Sequence, residues 1–220
     1  KTATKQVLRL KSLNRSVNDI RMTSDHVCMT VDGRSVQAKD MKGERIARYQ
    51  PIRENYASRE EFLAGFIVGD GVLSGMSKGN KGLLVCINDD KDSEIAKLIT
   101  DGTRQSNGIY SSEAFKIAKD YNLPASLIGD RGLPDSIHSV DGLMGLYSAN
   151  GSVITNTRVA LKTIDQHQAY SLITVLESYG IKAYVTTNKA RDQEFYNGTY
   201  RMRESYDVNI YDYRSLEIFA

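Results

Sequence analysis

Two short segments end in an oxygen-bearing side chain followed by glycine, and they are the first candidates for chemistry. Leu63-Ala-Gly-Phe-Ile-Val-Gly-Asp-Gly71 recurs as Leu143-Met-Gly-Leu-Tyr-Ser-Ala-Asn-Gly151, so that 80 residues separate residue 63 from residue 143. The carboxylate of Asp70 and the amide oxygen of Asn150 are oxygen ligands of the kind that hard divalent cations take. A divalent cation can promote phosphodiester hydrolysis. If the two segments lie side by side, they predict a metal site with this chemistry.

Each segment also has the pattern of a helix with one face of small residues. Gly65 and Gly69 are four residues apart, as are Gly145 and Ala149, and residues with this spacing share a helix face. Small residues allow two helix backbones to approach closely, so we expect the helices to pack about a pseudo-twofold axis. One helix that ends in Asp-Gly is common and needs no function. Two copies in register favour a functional pair.

The elements that must position these helix ends repeat in the same order after each copy. Each copy predicts helix, strand, strand, helix, strand, strand, helix. The main predicted elements of the first copy are Val72–Ser74, Gly82–Ile87, a helix over Asp92–Thr100 and a closing helix from Ser112. Those of the second are Ser152–Thr155, Arg158–Ile164, a helix over Asp165–Tyr179, Ile181–Thr187, Ser205–Ile210 and a closing helix from Ser215. We therefore predict an α+β fold with repeats at about 58–140 and 141–220.

The two motif segments resemble those of a known family. Leu63–Gly71 resembles the dodecapeptide motif of the LAGLIDADG homing endonucleases, and Leu143–Gly151 resembles a second, degenerate copy. Over residues 58–220 the resemblance implies two pseudo-symmetric αββαββα halves that form a saddle on double-stranded DNA. In that family the last acidic residue of each motif binds Mg²⁺ at the scissile phosphates, which maps to Asp70 and Asn150. Because an amide holds Mg²⁺ more weakly than a carboxylate, we expect nicking of one strand.

Further roles follow from the same resemblance. Such enzymes carry a basic residue beside each active site, which stabilises charge in the transition state. Lys162 and Arg131 are the candidates, and each could equally be a solvated surface charge. Basic residues at strand-like positions of the second repeat are expected to contact DNA phosphates. They are Arg158, Lys182, Lys189, Arg191, Arg201 and Arg203. A charge run of this kind is usually a solvated face, so it supports DNA binding only together with the fold.

Residues 1–57 resemble a second family. Arg21-Met-Thr-Ser-Asp-His26, followed by Val36–Met41 and Gly43–Ile46, is similar to the Thr-x-x-His block of inteins. The resemblance implies a partial all-β, Hint-like splicing segment in which Thr23 and His26 contact the N-terminal splice junction. Alone, His26 could be an ordinary loop histidine. Strands are predicted at Val7–Lys11, Val27–Val31 and Ser35–Ala38, with a linker at Tyr49–Ser58.

The chain departs from an intact intein at both ends. Residue 1 is Lys rather than a Cys or Ser nucleophile, and Glu217-Ile-Phe-Ala220 contains no His-Asn pair. We therefore expect an internal fragment, an engineered piece or one piece of a split intein, whose partners are the rest of the intein and its host protein. The second motif resembles most those of inteins inserted in ribonucleotide reductases.

Composition sets outer bounds on function. With 40% hydrophobic and 25% charged residues over 220 positions, the chain is neither disordered nor a membrane bundle. No run approaches the roughly 18 apolar residues of a membrane span, so no membrane partner is expected. Two cysteines indicate a reducing compartment, for which we expect the cytoplasm.

Charge and symmetry add two expectations. The net charge of +2 divides into +6 for residues 1–58 and −4 for residues 59–220, which argues mildly against tight nonspecific DNA binding. An internal twofold makes a monomer natural. The alternative to a nuclease is a degenerate relic module that supports only DNA binding or splicing. Charge does not distinguish the two.

Overall fold

The computed structural model describes residues 7–11, 20–46, 58–73, 76, 80–123, 133–155 and 157–220. The predicted linker and residue 131 lie outside these ranges, apart from Ser58. Within the first 46 residues the described chain forms two antiparallel pairs of short strands. They are β1 (Val7–Leu10) with β2 (Ile20–Thr23), and β3 (Val27–Met29) with β4 (Ser35–Gln37).

These pairs confirm the predicted β character of the N-terminal segment. The turn between β3 and β4 has Gly33 at a φ of +81°, a conformation that glycine adopts without strain. The predicted strand Ser35–Ala38 is one residue too long, because the chain enters a 3₁₀ turn at Ala38–Asp40. That the segment belongs to a Hint-like domain stays a prediction.

The first repeat begins with α1 (Arg59–Asp70), where the sequence predicts a helix start at Ser58. The Ser58 Oγ accepts a hydrogen bond of 3.2 Å from the Glu61 N–H, which is the expected N-cap. The Ser58 N–H donates to the Asp141 carboxylate at 2.9 Å, so the second half of the chain completes this cap.

A three-stranded antiparallel sheet follows α1, in the order β5-β7-β6. Its elements are β5 (Leu83–Cys86), α2 (Asp89–Ala96), β6 (Thr103–Gln105), β7 (Gly108–Ser111) and α3 (Ser112–Asp120). The strand predicted at Val72–Ser74 is wrong where the chain is described, because only Gly71 bridges to Val85. Helix α2 begins at Asp89 rather than Asp92, because Asn88 caps it by accepting from the Asp90 N–H at 3.1 Å.

The second repeat is fuller and contains a four-stranded antiparallel sheet in the order β10-β13-β9-β8. Its elements are α4 (Val140–Asn150), β8 (Gly151–Ile154), β9 (Arg158–Thr163), α5 (Gln166–Ser178), β10 (Ala183–Asn188), β11 (Arg191–Phe195), β12 (Gly198–Met202), β13 (Ser205–Ile210) and α6 (Tyr213–Phe219). The predicted elements are confirmed, although α6 begins before Ser215 because Asp212 caps it. The β11–β12 hairpin, which forms its own sheet, is not part of the predicted repeat.

Helices α1 and α4 pack against each other along their small-residue faces. A Cβ atom on Gly65 would lie 2.0 Å from the carbonyl oxygen of Gly142, and one on Gly145 would lie 1.9 Å from that of Phe62. Residues 62 and 142 are themselves 80 apart, so the two contacts are reciprocal. This geometry confirms the predicted pseudo-twofold pairing of the motif helices, and only glycine fits at either contact.

The core continues from this helix pair into both sheets. Its largest fully buried side chains include Phe66, Leu63, Leu83, Leu146, Leu161 and Leu172. Among the described residues, no helix is both long enough and apolar enough to cross a bilayer.

Candidate functional site

Each motif helix ends at its candidate metal ligand, and the following glycine is already in an extended conformation. The Gly71 N–H donates to the Ile67 carbonyl, and the Gly151 N–H donates to the Tyr147 carbonyl. A Cβ atom on Gly71 would lie 2.5 Å from the Ile67 oxygen, and one on Gly151 would lie 2.3 Å from the Tyr147 oxygen. The close approach of these carbonyl oxygens, which leaves no room for a Cβ atom, therefore accounts for the glycine after each ligand.

The two helix ends lie next to each other. A Cβ atom on Gly69 would lie 2.4 Å from the Ala149 Cβ and 3.0 Å from the Asn150 Nδ2. The residues that precede Asp70 and Asn150 are therefore in direct apposition. The expectation that these two candidate ligands meet at the axis agrees with this packing.

A lysine that sequence reasoning missed joins the two halves at this point. Lys91, on α2 of the first half, donates a hydrogen bond of 2.8 Å from its Nζ to the carbonyl oxygen of Ala149. Because Ala149 immediately precedes Asn150, an ammonium group lies at the paired helix ends. No motif contains Lys91, and the misplaced start of α2 left it in a predicted loop.

The surroundings of Asp70 perturb its protonation. Burial raises the pKa of Asp70, the nearby negative charge of Asp92 raises it further, and the Lys91 ammonium opposes both effects. Asp92 is 3% exposed. Its Oδ2 accepts from the Asn88 N–H at 2.9 Å, whereas its buried Oδ1 has no hydrogen-bond partner within the described part of the chain. Two carboxylates and one ammonium therefore share this region of the first half.

The strands that pair with the two helix ends, β5 in the first half and β9 in the second, differ at one equivalent position. Gly71 pairs with Val85 and Gly151 pairs with Leu161, so the residues that follow, Cys86 and Lys162, occupy equivalent positions. Burial and the charge of Asp70 raise the pKa of the Cys86 thiol, which places Cys86 near that carboxylate. The first half thus combines an acid with a thiol, and the second combines an amide with a lysine.

The second half contains a cleft of about 200 Å³ next to Asn150. Lys162, one of the two basic candidates, lines it together with Asn150. Thr163 donates from its hydroxyl to the Gln168 side chain, and Asp165 caps α5 by accepting from the His167 N–H at 2.8 Å. The full lining is Val68, Leu146, Asn150, Leu161, Lys162, Thr163, Ile164, Asp165 and Gln168. Arg131, the other candidate, lies outside the described residues.

The oxygen atoms at the paired helix ends could hold Mg²⁺, with one carboxylate as the only strong protein ligand among the described residues. Mg²⁺ is commonly held by one or two carboxylates together with waters and substrate phosphates. Asp70 supplies one carboxylate, the Asn150 amide can supply a weaker oxygen, and the buried Asp92 adds negative charge. In the described ranges, no three His, Cys, Asp or Glu side chains form a group that could hold a metal ion alone. Substrate phosphates would therefore have to complete the coordination.

One face of the four-stranded sheet packs on α5 and the other is polar. Leu161, Val208 and Val185 stand side by side on the packed face. Lys162, Asp207 and Thr186 are the sequence neighbours of those three residues. Lys162 pairs with Asp207, and Asp207 pairs with Thr186. Alternation along a strand puts these three on the opposite face.

By the same alternation, Asn209 and Asn188 belong to this polar face, and neither was among the residues predicted from the sequence. Asn209, 1% exposed, donates from its Nδ2 to the Thr186 Oγ1 at 3.1 Å, and Asn188 donates to the Asp207 carboxylate at 2.9 Å. Together they form a hydrogen-bonded polar layer. The alternating pattern of β10 and β13 carried this signal in the sequence.

The structure separates the predicted DNA-contacting residues into three places. Arg158 shares the polar face with Lys162, which is four residues further along β9, and Lys182 precedes β10. The other four lie on or beside the β11–β12 hairpin, which is a separate sheet. These four are Lys189, Arg191, Arg201 and Arg203. The reason is that the chain between β10 and β13 pairs with itself.

Thr23 and His26 lie within one turn at the end of β2. The His26 N–H donates to the Thr23 carbonyl at 3.1 Å, and the His26 carbonyl accepts from the Ala38 N–H at 2.8 Å. The His26 side chain is exposed. This local geometry joins β2 to the β3–β4 pair, and the splicing role of the two residues stays a prediction.

One family model matches the second repeat of the chain. Residues 142–220 match the model of the LAGLIDADG-like domain. None of the curated proteins matches the chain.

Several solved structures are similar to this chain. Full-length DUF199/WhiA from Thermatoga maritima is 15% identical with a TM-score of 0.44, over 76% of this chain and 56% of that one, so this chain spans about half of its length. A variant of I-DmoI in complex with its target DNA and Mn is 16% identical with a TM-score of 0.44, over 73% of this chain and 90% of that one. The N-terminal LAGLIDADG domain of DUF199/WhiA is 15% identical with a TM-score of 0.41, over 74% and 81%.

Proposed function

We propose that residues 58–220 bind double-stranded DNA and nick it as a site-specific, LAGLIDADG-type endonuclease that uses Mg²⁺. The observation that carries the proposal is the reciprocal packing of Gly65 and Gly145, which brings the ends of two motif helices together. The family match of residues 142–220 supports it.

DNA binding is assigned to the polar faces of the two sheets, which would form the two sides of a saddle. Lys162 and Arg158 provide positive charge on the second sheet, and the exposed side chains of Thr186 and Asn188 offer donors and acceptors for base edges. Lys182 and the basic residues around the β11–β12 hairpin would add phosphate contacts. A monomer suffices, because the internal twofold already supplies both halves.

The chemistry is assigned to the first half. Asp70 would hold Mg²⁺ together with a scissile phosphate, and Asn150 would be the weaker partner. The bound cation would supply an activated water and neutralise charge on the phosphate. Lys91, already at the paired helix ends, would stabilise charge that develops on the phosphate oxygens, and Lys162 would do so at the other strand.

The chemical difference between the two halves is the reason for proposing that only one DNA strand is cut efficiently. The first half carries a carboxylate, Asp70, at its helix end, and the charge of Asp92 acts on it. The second half has the neutral Asn150. We therefore assign efficient hydrolysis to the strand served by Asp70.

A supercoiled plasmid that carries the uninterrupted host insertion site tests this function in the presence of Mg²⁺. Nicked circles support the proposal, and fast conversion to linear DNA contradicts nicking. Asp70→Asn should abolish conversion while retaining DNA binding in a gel-shift assay. If the Asp70→Asn variant still converts the plasmid, Asp70 is not the metal ligand.

The alternative function is a relic module that binds DNA or supports splicing without hydrolysis. Two observations favour it: Asn150 is neutral, and Lys91 already occupies the Ala149 carbonyl oxygen that could have helped to hold a cation. Plasmid that stays supercoiled at every Mg²⁺ concentration, while a gel shift shows binding, would establish this alternative.

We further propose that residues 1–57 belong to an intein splicing domain of a ribonucleotide reductase or similar host, working in the reducing cytoplasm. The turn that holds Thr23 and His26 together supports this assignment. Its test is the longer gene product: His26→Ala should slow cleavage at the N-terminal splice junction, whereas Lys39→Ala, an exposed change nearby, should not. Equal rates would contradict the intein role.

A further inference from the structure

The first turn of α2 fixes the place from which Lys91 reaches the paired helix ends. Its N-cap residue, Asn88, accepts hydrogen bonds at its carbonyl oxygen from the N–H groups of Lys91, at 3.1 Å, and of Asp92, at 2.7 Å. The Asn88 N–H donates in return to the Asp92 carboxylate at 2.9 Å. These bonds close the turn around Lys91, so its backbone is held in place before its side chain extends.

The Lys91 ammonium makes its close contact with a neutral oxygen, although two carboxylates are near. Its Nζ lies 2.8 Å from the Ala149 carbonyl oxygen, and its charge acts on Asp70. Within the described ranges, however, no salt bridge joins Lys91 to Asp70 or to Asp92. Backbone carbonyl oxygens are among the ligands of hard divalent cations. The ammonium therefore occupies an oxygen that such a cation could have used.

The second half does not return this contact from the equivalent position. Lys91 is the third residue of α2, and the third residue of α5 is Gln168. Gln168 is neutral and buried, and its side chain accepts a hydrogen bond from the Thr163 hydroxyl. The pseudo-twofold is therefore broken at this position, because only α2 brings an ammonium to the helix end of the other half.

The two helix ends consequently carry compensating charges. At the end of α1, Asp70 is a carboxylate, and the residue equivalent to Lys91 in the opposite half, Gln168, is neutral. At the end of α4, Asn150 is neutral, and Lys91 adds a positive charge. A divalent cation is attracted to the first end, whereas at the second end it would meet an ammonium and an uncharged amide.

The ammonium has the charge and the donors to bind a phosphate in place of a metal ion. A lysine ammonium has three N–H donors, and among the described residues Lys91 uses one of them, on Ala149. The other two can donate to phosphate oxygens as charge-assisted hydrogen bonds. A merely structural tie to the carbonyl oxygen would require only a neutral donor, so the charge of Lys91 points to a further role.

We propose that the Lys91 ammonium takes the place of a second divalent cation on the Asn150 side of the paired helix ends. The inference rests on the proposed metal-dependent nicking and adds a cause to it. An ammonium neutralises charge on a phosphate but does not supply an activated water, as a divalent cation does. Hydrolysis then depends on the single cation at Asp70.

Mn²⁺ added to the chain without DNA tests this inference, because electron paramagnetic resonance counts the bound ions whatever the nuclease activity. The unsubstituted chain and Lys91→Met should each bind one ion, since Asn150 stays neutral in both. Asn150→Asp should add a weak second site, because the new carboxylate forms an ion pair with Lys91. Combining Asn150→Asp with Lys91→Met should tighten binding of the second ion by at least about tenfold.

A matched control separates the position of the charge from its mere removal. Lys97 lies just after the same helix, and its side chain is 68% exposed. Asn150→Asp with Lys97→Met should therefore bind the second ion as weakly as Asn150→Asp alone. Equal affinities in the two double variants would overturn the inference, as would the lack of a second ion in Asn150→Asp with Lys91→Met. Lys91→Gln, which keeps a neutral donor for the Ala149 carbonyl oxygen, gives the same comparison if the methionine variant does not fold.

The outcomes also distinguish this inference from the proposed function. If the unsubstituted chain binds one Mn²⁺ ion and nicks DNA, but removal of Lys91 leaves the second site unchanged, only the inference fails. If the unsubstituted chain binds no Mn²⁺ at millimolar concentration and does not nick DNA in Mg²⁺, the metal-dependent function fails, and the inference fails with it.

Discussion

Lys91 donates its ammonium proton to the carbonyl oxygen of Ala149 at 2.8 Å, across the boundary between the two halves. The contact places a positive charge beside Asp70 and next to Asn150. It is a hydrogen bond that either half alone would lack. The geometry at the helix ends therefore depends on both halves being present.

Replacing Lys91 should separate its chemical role from its structural role. Lys91→Met keeps the length of the side chain but removes the charge, so we expect the nicking rate to fall by about 10²-fold. The free energy of unfolding should fall by only about 1 kcal/mol, the value of one hydrogen bond. Lys97→Met, on an exposed lysine just after the same helix, is the control. Equal rates for the two variants would contradict a catalytic role for Lys91.

Restoring the missing carboxylate should change the product. Asn150→Asp gives the second half the acid that the first half has, so we expect linear DNA to accumulate about tenfold faster than in the unsubstituted chain. Plasmid gels follow nicked and linear forms over time. Asn150→Ala serves as the control and should yield no linear product. Unchanged product ratios in Asn150→Asp would show that the neutral amide is not what limits cleavage.

The raised pKa of Asp70 gives a stability prediction with a definite sign. Burial, together with the charge of Asp92, makes the folded state bind a proton at Asp70 more tightly than the unfolded state does. Protonation therefore stabilises the fold, and this contribution is lost as pH rises through the folded pKa. Asp70→Asn should match the unsubstituted chain at acidic pH and become relatively more stable towards neutral pH.

Urea unfolding over a series of pH values, without added metal, measures this difference. The free energies of unfolding of the two proteins should converge at low pH and diverge above the ordinary pKa range of a carboxyl group. A difference that stays constant with pH, or one that shrinks as pH rises, would contradict the burial of Asp70 described above.

The reciprocal glycines predict an unusual response to alanine. In an exposed helix, Gly→Ala normally stabilises by about 1 kcal/mol. Gly65→Ala should instead destabilise by more than about 3 kcal/mol, because its Cβ would clash with the backbone of Gly142. Met144→Ala, at a 53% exposed position of α4, is the control and should cost less than about 1 kcal/mol. Thermal or urea denaturation gives both values.

A double variant checks that the two glycine contacts belong to one interface. Gly65→Ala and Gly145→Ala should combine non-additively, because either change already separates the same two helices. Additive losses would show that the contacts are independent and would weaken the pseudo-twofold description.

The motif helices and their pairing were predictable because the signal is internal to the sequence. The segment that begins at Leu63 recurs at Leu143, so each copy supports the interpretation of the other. Small residues at the same spacing in both copies imply that the two helices pack closely. Helix α5 and strand β13 were equally clear, because each has strong periodicity and a clear boundary.

What could not be predicted depended on partners distant in the chain. The run after Gly71 has β propensity, but propensity does not reveal that only Gly71 bridges to β5. Arg191 and Arg201 do lie on strands, yet their strands pair with each other rather than with the main sheet. Lys91 becomes a candidate only when its contact with Ala149 is seen, since no local pattern marks it.

The glycine contacts have one more consequence, which concerns self-recognition. The same face of each motif helix contacts the equivalent face of the other helix. The interface is therefore isologous, like that of a symmetric homodimer. Joining both copies in one chain replaces a bimolecular encounter with a high effective concentration. The pairing then no longer requires the halves to be identical. Asp70 can therefore face Asn150, and Cys86 can differ from Lys162, within a pairing that a homodimer would have to keep symmetric.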